Sequence, residues 1–181
     1  DDEGKLQIYK NLAANGLNPS DITKVLLSHL HKDHTGGIAH PNKKIVSFEN
    51  ATYYINKNEF NFGLEKGFPS YHKNDFLLLE KYGKSIFTER NGIIDDYIHY
   101  EVTGAHCPFH QVFKIIDSNE IIFFGGDVAP QLHQMKSKFK AKYDYDGEAA
   151  MELRQKWWKE GEKEKWTFLF YHDIKYPFYK F

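Results

Sequence analysis

The stretch SHLHKDHTGG, residues 28–37, constrains what this chain can fold into more than any other segment. It places three imidazoles and one carboxylate within a few positions: His29, His31, Asp33 and His34. The apolar run TKVLL comes directly before it and has the character of a buried strand. Because α/β sheets usually present functional groups at the carboxyl ends of their strands, the stretch predicts a metal site there.

The spacing of these four side chains fits two neighbouring ions. In an extended segment alternate side chains share one side, so His29 and His31 can face the same ion. A turn after them, eased by the following glycine pair, would direct Asp33 and His34 to a second ion. Imidazole and carboxylate ligands without a thiolate suit zinc, manganese or iron.

Four ligands are too few for two ions, and further candidates follow other predicted strands. His110 lies in TGAHCPFHQVF, Asp127 lies in FFGGDV, and His172 lies in FLFYHD. Each of these residues comes next to a predicted strand. The candidate metal ligands are therefore His29, His31, Asp33, His34, His110, Asp127 and His172.

The apolar pattern predicts an α/β fold with mixed strands in one domain, residues 1–181. Helices are expected at 3–15, ending at Gly16, at 147–160, and as two short segments within 56–90. The long helix 147–160 would bury Ala150, Leu153, and Trp157 or Trp158. Strands are expected at 23–29, 44–48, 52–55, 97–102, 111–116, 120–126 and 166–171, with a hairpin around 117–119.

Charge and hydropathy exclude some classes of partner. The formal net charge is −1, which gives no electrostatic support for nucleic-acid binding. No apolar run approaches the ~18–20 residues that cross a bilayer, so no membrane partner is expected. The single cysteine, Cys107, fits a reducing compartment such as the cytoplasm. The chain opens with Asp1 and not Met, so an N-terminal signal stays open.

Together, HLHKDHTGG, GAHCPFH, GGD and a late strand-end histidine resemble the metallo-β-lactamase superfamily of the HxHxDH type. The resemblance runs from NGLNPSDITKVLLSHLHKDHTGG to YHD, nearly the whole chain. It implies an αββα sandwich of two similar halves. This chain is expected to lack the opening strands of the first half, so we predict that it is part of a longer protein.

The resemblance also implies a role for each candidate ligand. His29, His31 and His110 would hold the first metal, Asp33, His34 and His172 the second, and Asp127 would bridge both. Asp33 and Asp127 are the predicted catalytic residues, since either could hold a proton and pass it to the leaving group. His106 is expected to have a hydrogen-bonded structural role, Cys107 to be buried, and Asp173 is a candidate for orienting a ligand imidazole.

The activity implied by the resemblance is that of a binuclear metal-dependent hydrolase with two divalent ions, most simply zinc. A metal-bridging hydroxide would attack the carbonyl of an ester or lactone, as in the acyl-homoserine-lactone lactonases. A phosphotriesterase similar to methyl-parathion hydrolase and a non-catalytic metal-binding scaffold remain as alternatives. Many relatives dimerise, which leaves a homodimer open.

The expected substrate is a small molecule with an apolar acyl or aryl group. Segments 56–90 and 128–146 would supply one pocket wall, and their aromatic residues suit such a group. These residues are Phe60, Phe62, Phe68, Tyr71, Phe76, Phe139, Tyr143 and Tyr145. One feature departs from the family: some lactonases carry a tyrosine three residues after the bridging aspartate, where this chain has Pro130.

Overall fold

The structure is a computed structural model that describes residues 6–40 and 44–181. The chain divides into two compact units, the first reaching Thr88 and the second running from Glu89 to Phe181. Both units combine a sheet with helices, so the predicted α/β class is confirmed. That residues 1–181 make one domain stays a prediction.

The first unit is built on a parallel three-stranded sheet. Its strands β1 (Lys24–Leu26), β2 (Thr52–Asn56) and β3 (Ser85–Thr88) lie in that order. Its helices are α1 (Gln7–Ala14), α2 (Lys32–Thr35), α3 (Lys57–Lys66) and α4 (Lys73–Phe76). Asn56 ends β2 and also begins α3, because its side chain accepts hydrogen bonds from the backbone N–H groups of Asn58 and Glu59.

Three expectations for the first unit need comment. Helix α1 begins at Gln7, and residues 3–5 of the predicted helix lie outside the described residues. Gly16 has a φ of +73°, as expected of a residue that ends a helix. The predicted strand 44–48 is wrong: among its described residues Val46 forms one isolated bridge, with Ala39.

The second unit is built on a six-stranded sheet in sequential order. Its strands are β4 (Gly92–Ile94), β5 (Ile98–Val102), β6 (Gln111–Asp117), β7 (Glu120–Phe124), β8 (Thr167–Leu169) and β9 (Phe178–Lys180). All neighbours are antiparallel except β7 and β8. The helices α5 (Leu132–Met135) and α6 (Gly147–Glu164) lie within the crossover that this parallel pair requires.

Helix α6 buries a different stripe from the predicted one. Ala150 and Trp157 are buried as expected, but Arg154 and Gly161 complete the stripe, and Leu153 is only partly buried. Burial of Arg154 was not anticipated, because an arginine normally marks the solvent side of a helix. No helix in the described part of the chain is long and apolar enough to span a membrane.

Each unit has its own hydrophobic core. The first core includes Phe60, Tyr71 and Phe76, which are 3%, 3% and 0% exposed. Their predicted place in a pocket wall is therefore wrong, because they are core residues. The other predicted wall residues are more accessible: Phe62 is partly buried, while Phe68, Phe139, Tyr143 and Tyr145 are exposed.

Candidate metal centre

Three imidazoles crowd together where the chain leaves β1. The ring centroid of His29 lies 4.6 Å from that of His31 and 4.2 Å from that of His34. His29 is 1% exposed, and its Nδ1 lies 3.1 Å from the Ser28 hydroxyl. Imidazole nitrogens grouped this closely are a ligand type that divalent transition metals bind.

The carboxylate of this segment lies on its accessible side. Helix α2 begins directly after His31 and contains both Asp33 and His34. The Oδ2 atom of Asp33 is 3.7 Å from Nε2 of His34, and the Asp33 side chain is half exposed. The structure therefore brings the four candidate ligands of the HxHxDH segment into one short stretch, three as neighbouring rings and one as a solvent-facing carboxylate.

A buried glutamate supports this segment from helix α3. The Oε1 atom of Glu59 accepts hydrogen bonds from the backbone N–H of Leu30, at 3.0 Å, and from the hydroxyl of Tyr71, at 3.1 Å. Leu30 lies between His29 and His31, and the Tyr71 ring packs against His31 with centroids 4.9 Å apart. Glu59 thus connects helix α3 to the backbone that carries the imidazoles.

The second unit places its three candidate ligands at neighbouring strand ends. His110 directly precedes β6, Asp127 lies in a 3₁₀ turn after β7, and His172 follows β8. Nε2 of His110 accepts a hydrogen bond from the backbone N–H of Asp127 at 3.2 Å. Nε2 of His172 lies 3.3 Å from Oδ2 of Asp127. The Asp127 carboxylate is therefore close to one candidate imidazole, and its backbone is bonded to the other.

His106 also approaches Asp127, although it was not predicted as a ligand. Its Nε2 lies 3.5 Å from Oδ2 of Asp127, and its Nδ1 donates a hydrogen bond of 2.9 Å to Oδ1 of Asp144. Because an ionised carboxylate can only accept, this bond assigns a proton to Nδ1. The hydrogen bond agrees with the structural role expected of His106 and adds Asp144, which carried no sequence signal.

Arg154 holds the turn that carries Asp127. It is fully buried, and its guanidinium donates to the carbonyl oxygen of Val128 at 2.7 Å and to that of Phe139. Burial lowers the pKa of the Arg154 guanidinium, and the negative charge of Asp144 acts in the opposite direction. The residue after Asp127 is thereby fixed to helix α6.

Two further expectations can be compared with the structure. Asp173 does not orient an imidazole through the hydrogen bonds seen here, because its carboxylate accepts from the backbone N–H groups of Leu132, Lys175 and Tyr176. Cys107 is 3% exposed, which confirms its predicted burial. Glu59, Asp144 and Arg154 were missed by the sequence analysis.

The donor set fits a divalent transition metal. The candidates offer imidazole nitrogen and carboxylate oxygen, and the chain cannot form a thiolate cluster because it contains a single cysteine. Such a set suits zinc, manganese or iron. Four of the candidates, His29, His31, Asp33 and His34, belong to the first unit, and three, His110, Asp127 and His172, belong to the second.

A model of the Lactamase_B family, described as the metallo-beta-lactamase superfamily, matches residues 1–172. The chain belongs to the metallo-beta-lactamase superfamily. The fold comparison agrees: a probable metal-dependent hydrolase from Staphylococcus aureus superposes with a TM-score of 0.85 at 22% identity, over 97% of this chain and 64% of that one. The predicted family and fold are thus confirmed.

Relatives of this metallo-beta-lactamase superfamily member include lactonases. The chain is 32% identical over 127 residues to the N-acyl homoserine lactonase AttM of Agrobacterium fabrum, covering 63% of this chain and 42% of that protein. AidC, a dizinc quorum-quenching lactonase solved with a product, superposes with a TM-score of 0.76 at 23% identity, over 94% of this chain and 64% of that one. The chain thus spans less than half of the curated relative's length.

Proposed function

We propose that this chain carries the metal centre of a hydrolase that opens lactones or cleaves related carboxylic esters. The observation that carries the proposal is the HxHxDH segment with its three crowded imidazoles, in a chain related to N-acyl homoserine lactonases. The donor chemistry adds support, because imidazole and carboxylate ligands suit zinc, and AidC is a dizinc lactonase.

The seven candidate ligands are assigned as the family resemblance implies. His29, His31 and His110 would hold one ion, and Asp33, His34 and His172 the other, with Asp127 shared between them. When bound, two such ions would supply Lewis-acid chemistry that activates a water as the nucleophile and polarises the scissile carbonyl.

The chain's own carboxylates would manage the proton. An oxygen of Asp127 or of Asp33 would take the proton released at the nucleophile and deliver it to the departing alkoxide of the opened ring. Asp127 is well placed for a controlled transfer, because its side chain is largely buried and its Oδ2 faces Nε2 of His172. Asp33, with a half-exposed side chain, would exchange protons with solvent more readily.

The substrate would be a small apolar acyl lactone. Phe68, Phe139, Tyr143 and Tyr145 expose aromatic surface that could cover an acyl chain. Phosphotriester hydrolysis is the second candidate activity, and the assay described next distinguishes it from lactone opening.

The test measures metal content and turnover together. Purified protein would be analysed for zinc, manganese and iron per chain, then assayed with N-hexanoyl and N-decanoyl homoserine lactone and with paraoxon. We expect about two ions per chain and lactone opening that Asp127→Asn reduces by at least about 100-fold. Asp96→Asn makes the same change at an exposed turn residue and should leave both quantities unchanged. Metal binding with paraoxon turnover alone would replace the lactonase proposal by the phosphotriesterase one.

A further inference from the structure

We propose that Asp144 and His106 form a positioning pair for the carboxylate of Asp127. The inference rests on the proposed function, since Asp127 is there the ligand shared by two metal ions. In this role neither Asp144 nor His106 touches the substrate. The pair would determine where the Asp127 oxygens lie, and therefore how tightly the shared position binds metal.

The pair is buried and directional. The Asp144 side chain is 1% exposed and that of His106 is 6% exposed. The hydrogen bond from Nδ1 of His106 to Oδ1 of Asp144 fixes the orientation of the imidazole plane and places Nε2 opposite Oδ2 of Asp127. A ring held in this way limits the rotamers open to the Asp127 carboxylate.

Backbone hydrogen bonds keep the two partners in register. The N–H of Tyr145 donates to the carbonyl of His106 at 3.0 Å, and the N–H of Asp146 donates to that of Ala105 at 2.8 Å. These bonds join the segment before α6 to the loop before β6, with the side-chain pair between them. These bonds hold the backbone on either side of the pair together, so that Asp144 lies beside His106.

Helix α6 completes the support from the other side of the turn. Asp146 caps the helix by accepting from the N–H of Ala149, and Arg154 lies two turns further along the same helix. Its bond to the carbonyl of Val128 fixes the backbone beside Asp127, while the positive charge lies near enough to Asp144 to interact electrostatically. One helix thus positions both the backbone and, through Asp144 and His106, the side chain of Asp127.

The test compares two carboxylate-to-amide changes two residues apart in the full chain. Asp144→Asn weakens the bond to His106, whereas Asp146→Asn keeps an N-capping side chain and does not touch the imidazole. For wild type, both variants and His106→Gln, zinc affinity would be measured by competition with a chromophoric chelator. Cobalt(II) spectra would report ligand geometry, and thermal unfolding of the metal-free protein would report folding.

We expect Asp144→Asn and His106→Gln to weaken zinc binding by about 10–100-fold and to change the cobalt spectrum, with Asp146→Asn unchanged. Metal-free unfolding midpoints close to wild type would show that the effect is not loss of the fold. Wild-type affinity in Asp144→Asn, or equal losses in both aspartate variants, would overturn the positioning role alone. A wild-type protein that binds no metal would overturn this inference and the proposed function together. Binding that depends on Asp144 in a protein without hydrolase activity would support the pair and refute the hydrolase.

Discussion

Removal of the Glu59 carboxylate should destabilise the first unit more than any surface change on the same helix. Glu59 is 1% exposed, and one of its oxygens accepts two hydrogen bonds, from Leu30 N–H and from the Tyr71 hydroxyl. Glu59→Ala leaves both donors buried without that acceptor. Glu59→Gln retains an oxygen at the same position and replaces a charged acceptor by a neutral one.

The magnitude follows from those two bonds. A buried donor that loses its partner costs about 1–3 kcal/mol, so the pair costs about 2–6 kcal/mol. Relief of the buried carboxylate's desolvation offsets part of this, and we expect a net loss of about 2–4 kcal/mol for Glu59→Ala. Glu59→Gln should lose about 1–2 kcal/mol, because charge-assisted bonds become neutral ones.

Urea unfolding of the metal-free full chain measures this loss, because chelation removes any stabilisation by bound metal. Glu65→Ala is the control: Glu65 is an exposed residue of α3, and its removal should change the free energy of unfolding by less than about 0.5 kcal/mol. Zinc affinity should also fall in Glu59→Ala, since Leu30 N–H lies between two candidate ligands. If Glu59→Ala and Glu65→Ala had equal stabilities, the support assigned to Glu59 would be refuted.

Three further predictions concern the two cores and the candidate site. Burial raises the pKa of the Tyr53 hydroxyl above its usual 10.0. The neutral hydroxyl therefore contributes its full stability below pH ~10, and this stability is lost as the pH rises through the raised pKa. Tyr53→Phe should therefore reduce the decrease of the unfolding midpoint at alkaline pH, and an unchanged alkaline profile would contradict this pH dependence. At neutral pH the same change should destabilise the protein, because it leaves Phe48 N–H without its acceptor. Arg154→Met should cost about 2–3 kcal/mol in urea unfolding, because the buried carbonyl of Val128 and the partly buried carbonyl of Phe139 lose their donor. A neutral result would mean that water replaces the guanidinium. Gly161→Ala should lower the free energy of unfolding by about 1–2 kcal/mol, measured by calorimetry, although alanine has the better helix propensity. The added methyl would clash with the ring of Phe168. A stabilised variant would show that the ring can move aside.

The sequence predicted those elements that have a clear pattern of apolar residues along the chain. The hairpin of β6 and β7 is a pair of apolar runs around a short polar turn, and helix α6 has a clear 3.6-residue period. The strands β3, β4 and β9, each only three or four residues long, were missed. Strands β1 and β8 are equally short but lie within the longer apolar runs TKVLL and WTFLFY, which made them predictable. Such short strands exist only through pairing with a neighbour, and the sequence does not show which neighbour is present. For the same reason KIVSF has strand composition yet forms no strand in the structure.

The candidate site likewise contains residues that the sequence predicted and residues that it did not. Its ligands were predictable because metal coordination demands particular residue types at short spacing, as in HLHKDH, and because strand ends bring such residues together. The supporting residues were not predictable, because a single buried acid or arginine has no local sequence signature. Glu59 bonds to a residue 29 positions away, Asp144 to one 38 positions away, and Arg154 to one 26 positions away. The role of each of these side chains depends on which polar group lies next to it in the protein interior. Mutations at Glu59 and Arg154 should therefore affect metal affinity and stability together, whereas mutations at the exposed Asp33 should affect metal affinity with little effect on folding.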